Sequence, residues 1–220
     1  MGLRVALTGT QSHAAMPWEG NNPMLPLADL AGLAATLPAR CPPGAGEDPS
    51  LCTLVHLNVG TRDYGMNPGG GELGVTLRSC RSENVDTMAA ELEAAAEAAA
   101  AAHGLSCEVT RIDRFGATVN DAASTKLAVA AAGRVSGVRS VELLDRPFSW
   151  SEDFGELTGH QGWGGGALLG IGGGEQLPVL HHRTYDFPDS LTPIGAELWL
   201  QIALGATGNT LAPSGNRGFG

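Results

Sequence analysis

Leu51-Cys52-Thr53-Leu54-Val55-His56-Leu57, followed by Gly69-Gly70-Gly71 and then Leu73-Gly74-Val75-Thr76-Leu77-Arg78, is the stretch that decides the fold. It reads as two consecutive strands joined through a glycine turn. What stands on either side of the pair is helical. Upstream, Pro23 to Arg40 carries Leu27, Leu30, Leu33, Ala34 and Leu37 at helical spacing, and Pro42-Pro43 stops it. Downstream, Ser82-Glu83-Asn84-Val85 opens an Ala/Glu-rich stretch of high helix propensity, with Ser82 as the expected N-cap and Gly104 as the closing glycine. Beyond the helices lie a strand at Leu3 to Thr8 and another at Cys107 to Ile112.

Six elements in the order βαββαβ make a split-βαβ, ferredoxin-like sandwich, two helices on one face of a four-stranded sheet. The expected fold class is therefore α/β (α+β). A ferredoxin-like domain covers residues 1–115, a partial α/β segment 116–210, and a flexible Gly/Pro/Asn-rich tail 211–220. In the second half the pattern predicts a helix at Ser124 to Val135, a strand at Val138 to Leu144, and a short helix at Glu152 to Thr158 behind Ser151. A buried strand at Ala167 to Ile171 and a last helix at Ile194 to Ala206 follow. That is half of an α/β layer, with few strands to stand alone.

Composition narrows the function. Thirteen Lys+Arg against 23 Asp+Glu give a formal charge of −10, so the basic surface that displaces counterions from a nucleic acid is missing. No apolar run approaches the ~20 residues of a membrane span. Cys41, Cys52, Cys80 and Cys107 show no CxxC spacing and read as reduced thiols of a cytoplasmic protein. The run Gly162-Trp163-Gly164-Gly165-Gly166 lacks the Gly-Lys-Ser/Thr ending of a phosphate loop. Ser149, Ser151 and His160 form no nucleophile motif.

Chemistry concentrates in Gly9-Thr10-Gln11-Ser12-His13-Ala14-Ala15-Met16-Pro17, a histidine among small residues just after a strand. Later come Val59-Gly60-Thr61, Thr76-Leu77-Arg78, Ala101-Ala102-His103-Gly104 and Thr118-Val119-Asn120-Asp121. Ser151-Glu152-Asp153-Phe154, Leu180-His181-His182-Arg183-Thr184-Tyr185-Asp186-Phe187 and Leu191-Thr192-Pro193-Ile194-Gly195-Ala196 complete the series. In this order and spacing the chain resembles the lid domain and C-terminal catalytic segment of the M20 peptidase and amidohydrolase family, which includes aminoacylase-like and indole-acetyl-amino-acid hydrolase-like enzymes.

The resemblance implies roles. His13 matches the lid histidine that reaches an active site, often the partner subunit's, and polarises the scissile carbonyl; such a donor is worth ~2.7–4 kcal/mol of barrier. His181 matches the C-terminal metal-ligand histidine, while His182 falls at a variable position. Glu152 matches an acidic position near the pocket, or serves only to open a helix with its carboxylate at the positive end of the dipole. Arg78 either holds a substrate carboxylate as a bidentate fork or solvates a strand. The implied cofactor is a divalent metal (Zn, Mn or Co), the substrate an N-acyl amino acid or peptide-like amide, and the assembly a homodimer.

The departures matter as much. Where the family often has Asn-Val-Ile-Pro, this chain has Gly65-Met66-Asn67-Pro68, which removes an amide at position 65 unless Asn67 takes over its contacts. The family's early Cys/His-x-His motif, bridging acid and Glu-Glu pair would precede the lid, and no HxxxH, HxH, CxH or Glu-Glu pattern replaces them. Glu91, Glu93 and Glu97 read as a solvated helix face. The chain by itself is thus expected to hold no metal and to be inactive, working either with a separate upstream half or as a non-catalytic dimerisation module.

Overall fold

A computed structural model describes residues 1–148, 150, 152–159 and 165–209. Contacts group residues 1–117 with 145–153 as one compact unit, and 118–144 with 154 onward as a second.

In the first unit, β1 (Gly2–Thr8) shows why alternation sets a strand: Leu3, Val5 and Leu7 are buried while Arg4 and Ala6 turn outward. β5 (Gly70–Arg78) buries Leu73, Val75 and Leu77 on the same side. With β3 (Leu51–Val59) and β6 (Ser106–Ile112) they form a sheet in the order β3-β5-β1-β6, every pair antiparallel. Helices α1 (Met24–Ala34) and α2 (Ser82–His103) close the core with Leu27, Leu30 and Ala34 from one and Met88, Ala89, Leu92, Ala96 and Ala100 from the other. Each fully buried Leu or Met contributes roughly 1.5–3 kcal/mol. This is the mixed α/β, ferredoxin-like arrangement that the βαββαβ order predicts.

Details differ from expectation at the helix ends. Ser82 is the first residue of α2 rather than its cap; Arg81 holds the extended N-cap position, and the Ser82 hydroxyl accepts from the Ala117 N–H at 3.1 Å. Gly104 does end the helix in the left-handed conformation, φ +64°, which glycine adopts without a Cβ penalty. A two-residue ribbon, β2 (Ser12–His13) against β4 (Met66–Asn67), was not foreseen. Glu91 and Glu93 carry ion pairs to Arg40 (2.6 Å) and Arg111 (2.6 Å) rather than a bare solvated face.

In the second unit, α3 (Ala122–Ala132) is capped by Asp121, whose carboxylate accepts from the Ser124 N–H at 2.7 Å; that backbone bond holds its pKa below the ordinary value. It packs on α5 (Leu191–Ala206) through Ala131, Val135 and Leu198. Helix α4 (Phe154–Gly159) is short. Neither Val138–Leu144 nor Ala167–Ile171 forms a strand. A strand exists only through its ladder, and among the described residues these runs find none. Leu143 (71% exposed) and Leu144 (59%) face solvent. One fragment of pairing survives: the Asn120 amide donates to the Leu168 carbonyl (3.1 Å) and accepts from its N–H (2.9 Å). The expected Ser151 cap, the Gly162-Trp163-Gly164 turn and the 211–220 tail lie outside the described residues. No described helix is long and apolar enough to cross a membrane.

Candidate functional site

The ribbon that carries His13 has two unlike sides. On the inner side Asn67 is buried, and both ends of its amide are used: Oδ1 accepts from Asn22 Nδ2 at 2.7 Å, and Nδ2 donates to Ser12 Oγ at 3.0 Å. A buried amide needs such partners, since leaving either end unmade costs its desolvation. Asn67 is therefore committed to holding the ribbon, and does not stand in for the amide absent at position 65.

On the outer side are His13 and Met66, paired across the ribbon, with Gln11 Nε2 3.1 Å from the Met66 sulfur. His13 is exposed, and its Nδ1 accepts the Ala15 N–H at 3.0 Å. With one ring nitrogen acting as acceptor, the neutral imidazole carries its proton on Nε2, so the free nitrogen is a donor. That is the tautomer an oxyanion requires.

The loop around it is tied down on every side. Gly9 N–H bonds Gly69 O (2.7 Å), Ala14 N–H bonds Gly65 O (2.9 Å), and Asn21 N–H bonds Thr10 O (2.9 Å). Asn21 Nδ2 also reaches the last carbonyls of α2, His103 O at 3.0 Å and Gly104 O at 3.1 Å, while Asn22 Oδ1 accepts the Met24 N–H at the start of α1. From sequence the Asn21-Asn22 pair signals only that a helix begins. Its double tethering was missed, because the partners lie 82 and 45 residues away. Two adjacent amides before a proline were the available signal.

The other sequence candidates sit elsewhere. Arg78 ends β5 opposite Leu51, whereas the ribbon follows the end of β1 that pairs with Gly70. Eight residues of strand separate them, roughly 27 Å. Glu152 lines a second concavity of about 350 Å³ with Asp113, Phe115 and Asp153, and Asp113 follows directly on the β6 end that pairs with Gly2. Arg78 and Glu152 thus share one end of the first unit and His13 occupies the other.

His181 lies in the second unit, exposed, at φ +66°. A non-glycine residue there is uncommon and marks a backbone that its surroundings hold. The His182 ring is engaged by Thr184, whose Oγ1 lies 2.8 Å from Nδ1; the His181 ring makes no hydrogen bond with a described residue. Among the described residues no three His, Cys, Asp or Glu side chains are grouped to hold a metal ion. One imidazole does not fix a divalent metal, so these residues alone do not fit the metal that the resemblance implies.

No family model matches the chain, and no curated protein matches it. Solved structures do. An assigned aminohydrolase from methicillin-resistant Staphylococcus aureus superposes with a TM-score of 0.65 at 17% identity, covering 92% of this chain and 51% of that one. A hydantoinase/carbamoylase family amidase from Burkholderia ambifaria gives 0.57 at 20% identity, over 96% and 48%. An aminobenzoyl-glutamate utilization protein from Klebsiella pneumoniae gives 0.56 at 22% identity, over 71% and 39%. At these identities the likeness establishes the fold. The chain spans about half the length of the first two structures.

Proposed function

We propose that this chain is the lid and C-terminal part of an M20-type, metal-dependent amidohydrolase acting on N-acyl amino acids or peptide-like amides, and that it is inactive by itself. The observation that carries the reading is the His13 ring, exposed on a braced ribbon with Nδ1 occupied by Ala15 and Nε2–H left to donate. A fixed donor of this kind stabilises charge developing on a carbonyl oxygen. The fold shared with amidohydrolases supports it.

In this reading His181 supplies one metal ligand, and the remaining ligands and the general base come from a further polypeptide segment. Arg78 and Glu152 contact substrate at the opposite end of the unit from His13. One small substrate cannot span both ends, so the reading assigns His13 to the site of a second copy. Edge strand β3 offers the surface for that homodimer: Leu51, Leu54, Val55 and Leu57 are 43–62% exposed, with no proline or lysine to blunt the edge. The four free thiols suit a reducing, cytoplasmic setting.

The test is hydrolysis. The chain alone with Zn, Mn or Co turns over no N-acyl amino acid. Mixed with the polypeptide encoded immediately upstream it does, and His13→Ala then lowers kcat by ~10²–10³. Robust activity of the chain alone overturns the division of labour, and an unchanged kcat removes His13. The exposed β3 edge also favours a second reading, a non-catalytic dimerisation module. Dimers by sedimentation, with no hydrolysis under any pairing, would select it.

A further inference from the structure

A concavity of about 260 Å³ opens on the outer side of the ribbon that carries His13. Its walls are Gln11, Thr61, Met66 and Pro68, and its floor is the backbone of Gly60, Gly69 and Gly70. Met66 is the residue paired with His13, and the Gln11–Met66 contact puts Gln11 on the same side. No charged side chain lines it. A cavity of about 150 Å³ already accepts benzene, so this one has room for a ring with a few further atoms. Beyond it, Trp18 (77% exposed) and Tyr64 (97%) stand on the segments flanking the ribbon. They offer flat apolar surface to an aromatic group.

We infer that this concavity is a substrate subsite selecting an uncharged, ring-sized group, with Met66 and Pro68 giving apolar contact and the Gln11 amide and Thr61 hydroxyl free to orient a polar edge. It rests on the reading of His13 as the donor to the substrate carbonyl. The group belongs either to the acyl half of the substrate or to the side chain of its amino acid, and the two are separable.

The floor supplies a clean perturbation. A Cβ on Gly69 would lie 2.5 Å from the Gln11 backbone nitrogen, and Gly60 sits at φ +66° against Pro68, so neither can be enlarged quietly. Gly70 is different. A Cβ there meets nothing within 4 Å, so a side chain enters the open space without a clash or a strained backbone. Gly70→Leu should fill the subsite and spare the fold, and Thr61→Phe narrows it from the opposite wall.

The experiment titrates protein labelled at its methionine methyls with N-benzoylglycine, N-acetylphenylalanine and N-acetylglycine. At least one aromatic probe should shift Met66, leave the core residue Met88 unmoved, and bind about tenfold more tightly than N-acetylglycine. N-benzoylglycine as the winner assigns the subsite to the acyl group, N-acetylphenylalanine to the amino-acid side chain. Gly70→Leu and Thr61→Phe should erase the preference with the Met88 signal unchanged. A still Met66 with all three probes, equal affinities, or a preference surviving both variants overturns the subsite. Because the readout is binding, loss of the hydrolytic reading (kcat indifferent to His13→Ala) leaves a responding Met66 standing, and a silent Met66 sinks the subsite even if hydrolysis is found.

Discussion

Replacing Asn67 with Ala should destabilise the first unit although the residue belongs to no helix and to a strand of only two residues. Two hydrogen bonds are lost, to Asn22 at 2.7 Å and to Ser12 at 3.0 Å. Each is worth about 0.5–1.5 kcal/mol net. Asn22 and Ser12 are only partly buried, so water can serve the groups left behind and the upper penalty for an orphaned amide does not apply. The sum is about 2 kcal/mol. With a urea slope of roughly 2 kcal/mol/M, the unfolding midpoint falls by about 1 M. The probe should report on this unit alone, and the methyl resonance of Met88, 1% exposed in its core, does so. Leu92→Ala, a core truncation costing about 2–5 kcal/mol, calibrates the scale. A midpoint shift under about 0.2 M would refute the reasoning, because that is how an exposed substrate-binding amide behaves.

Other outcomes follow from the charged and titrating groups. Arg111 holds Glu93 through two bonds of 2.6 and 2.7 Å on an exposed surface, so a double-mutant cycle should return a coupling of about 0.5 kcal/mol that shrinks in high salt. Hydrogen bonds from Arg111 and Arg114 hold Glu93 and Asp86 below the ordinary carboxylate pKa, as Arg81 does for Glu47. Their contribution is complete above pH ~4 and is lost as pH falls through the depressed values, so the urea midpoint should be lower at pH 3 than at pH 7. Burial pushes the Cys52 thiol up to about 11, and it should alkylate at pH 8 roughly 10² times more slowly than a free thiol. Ala15→Pro deletes the N–H that occupies His13 Nδ1; nitrogen NMR should then show His13 losing its strong bias to the Nε2–H tautomer.

The first half of the fold was legible because each element advertises its buried face locally: Leu3, Val5 and Leu7 at period two, and Met88, Leu92, Ala96 and Ala100 at helical spacing. The runs at 138–144 and 167–171 were apolar enough to read as strands, but a strand is defined by its neighbour, and an apolar run does not say whether one is present. The site was legible in part. His13 stood out by its position after a strand, whereas its orientation depends on Ala15 and its bracing on Asn67, 55 residues from Ser12. Nothing local in Met66 or Gly70 announces a subsite wall or floor, because the concavity arises only when the two ribbon strands meet.

The alanine face of α2 sets a tolerance on the histidine loop. Ala89, Ala96 and Ala100 let the helix lie close to the sheet, and Asn21 hangs the loop from that helix's last carbonyls. Sheet, thin spacer, helix, tether and imidazole form a mechanical chain in series. Any enlargement of those alanines adds its thickness to the position of His13, so residues a full helix away can drift the alignment of a donor they never touch.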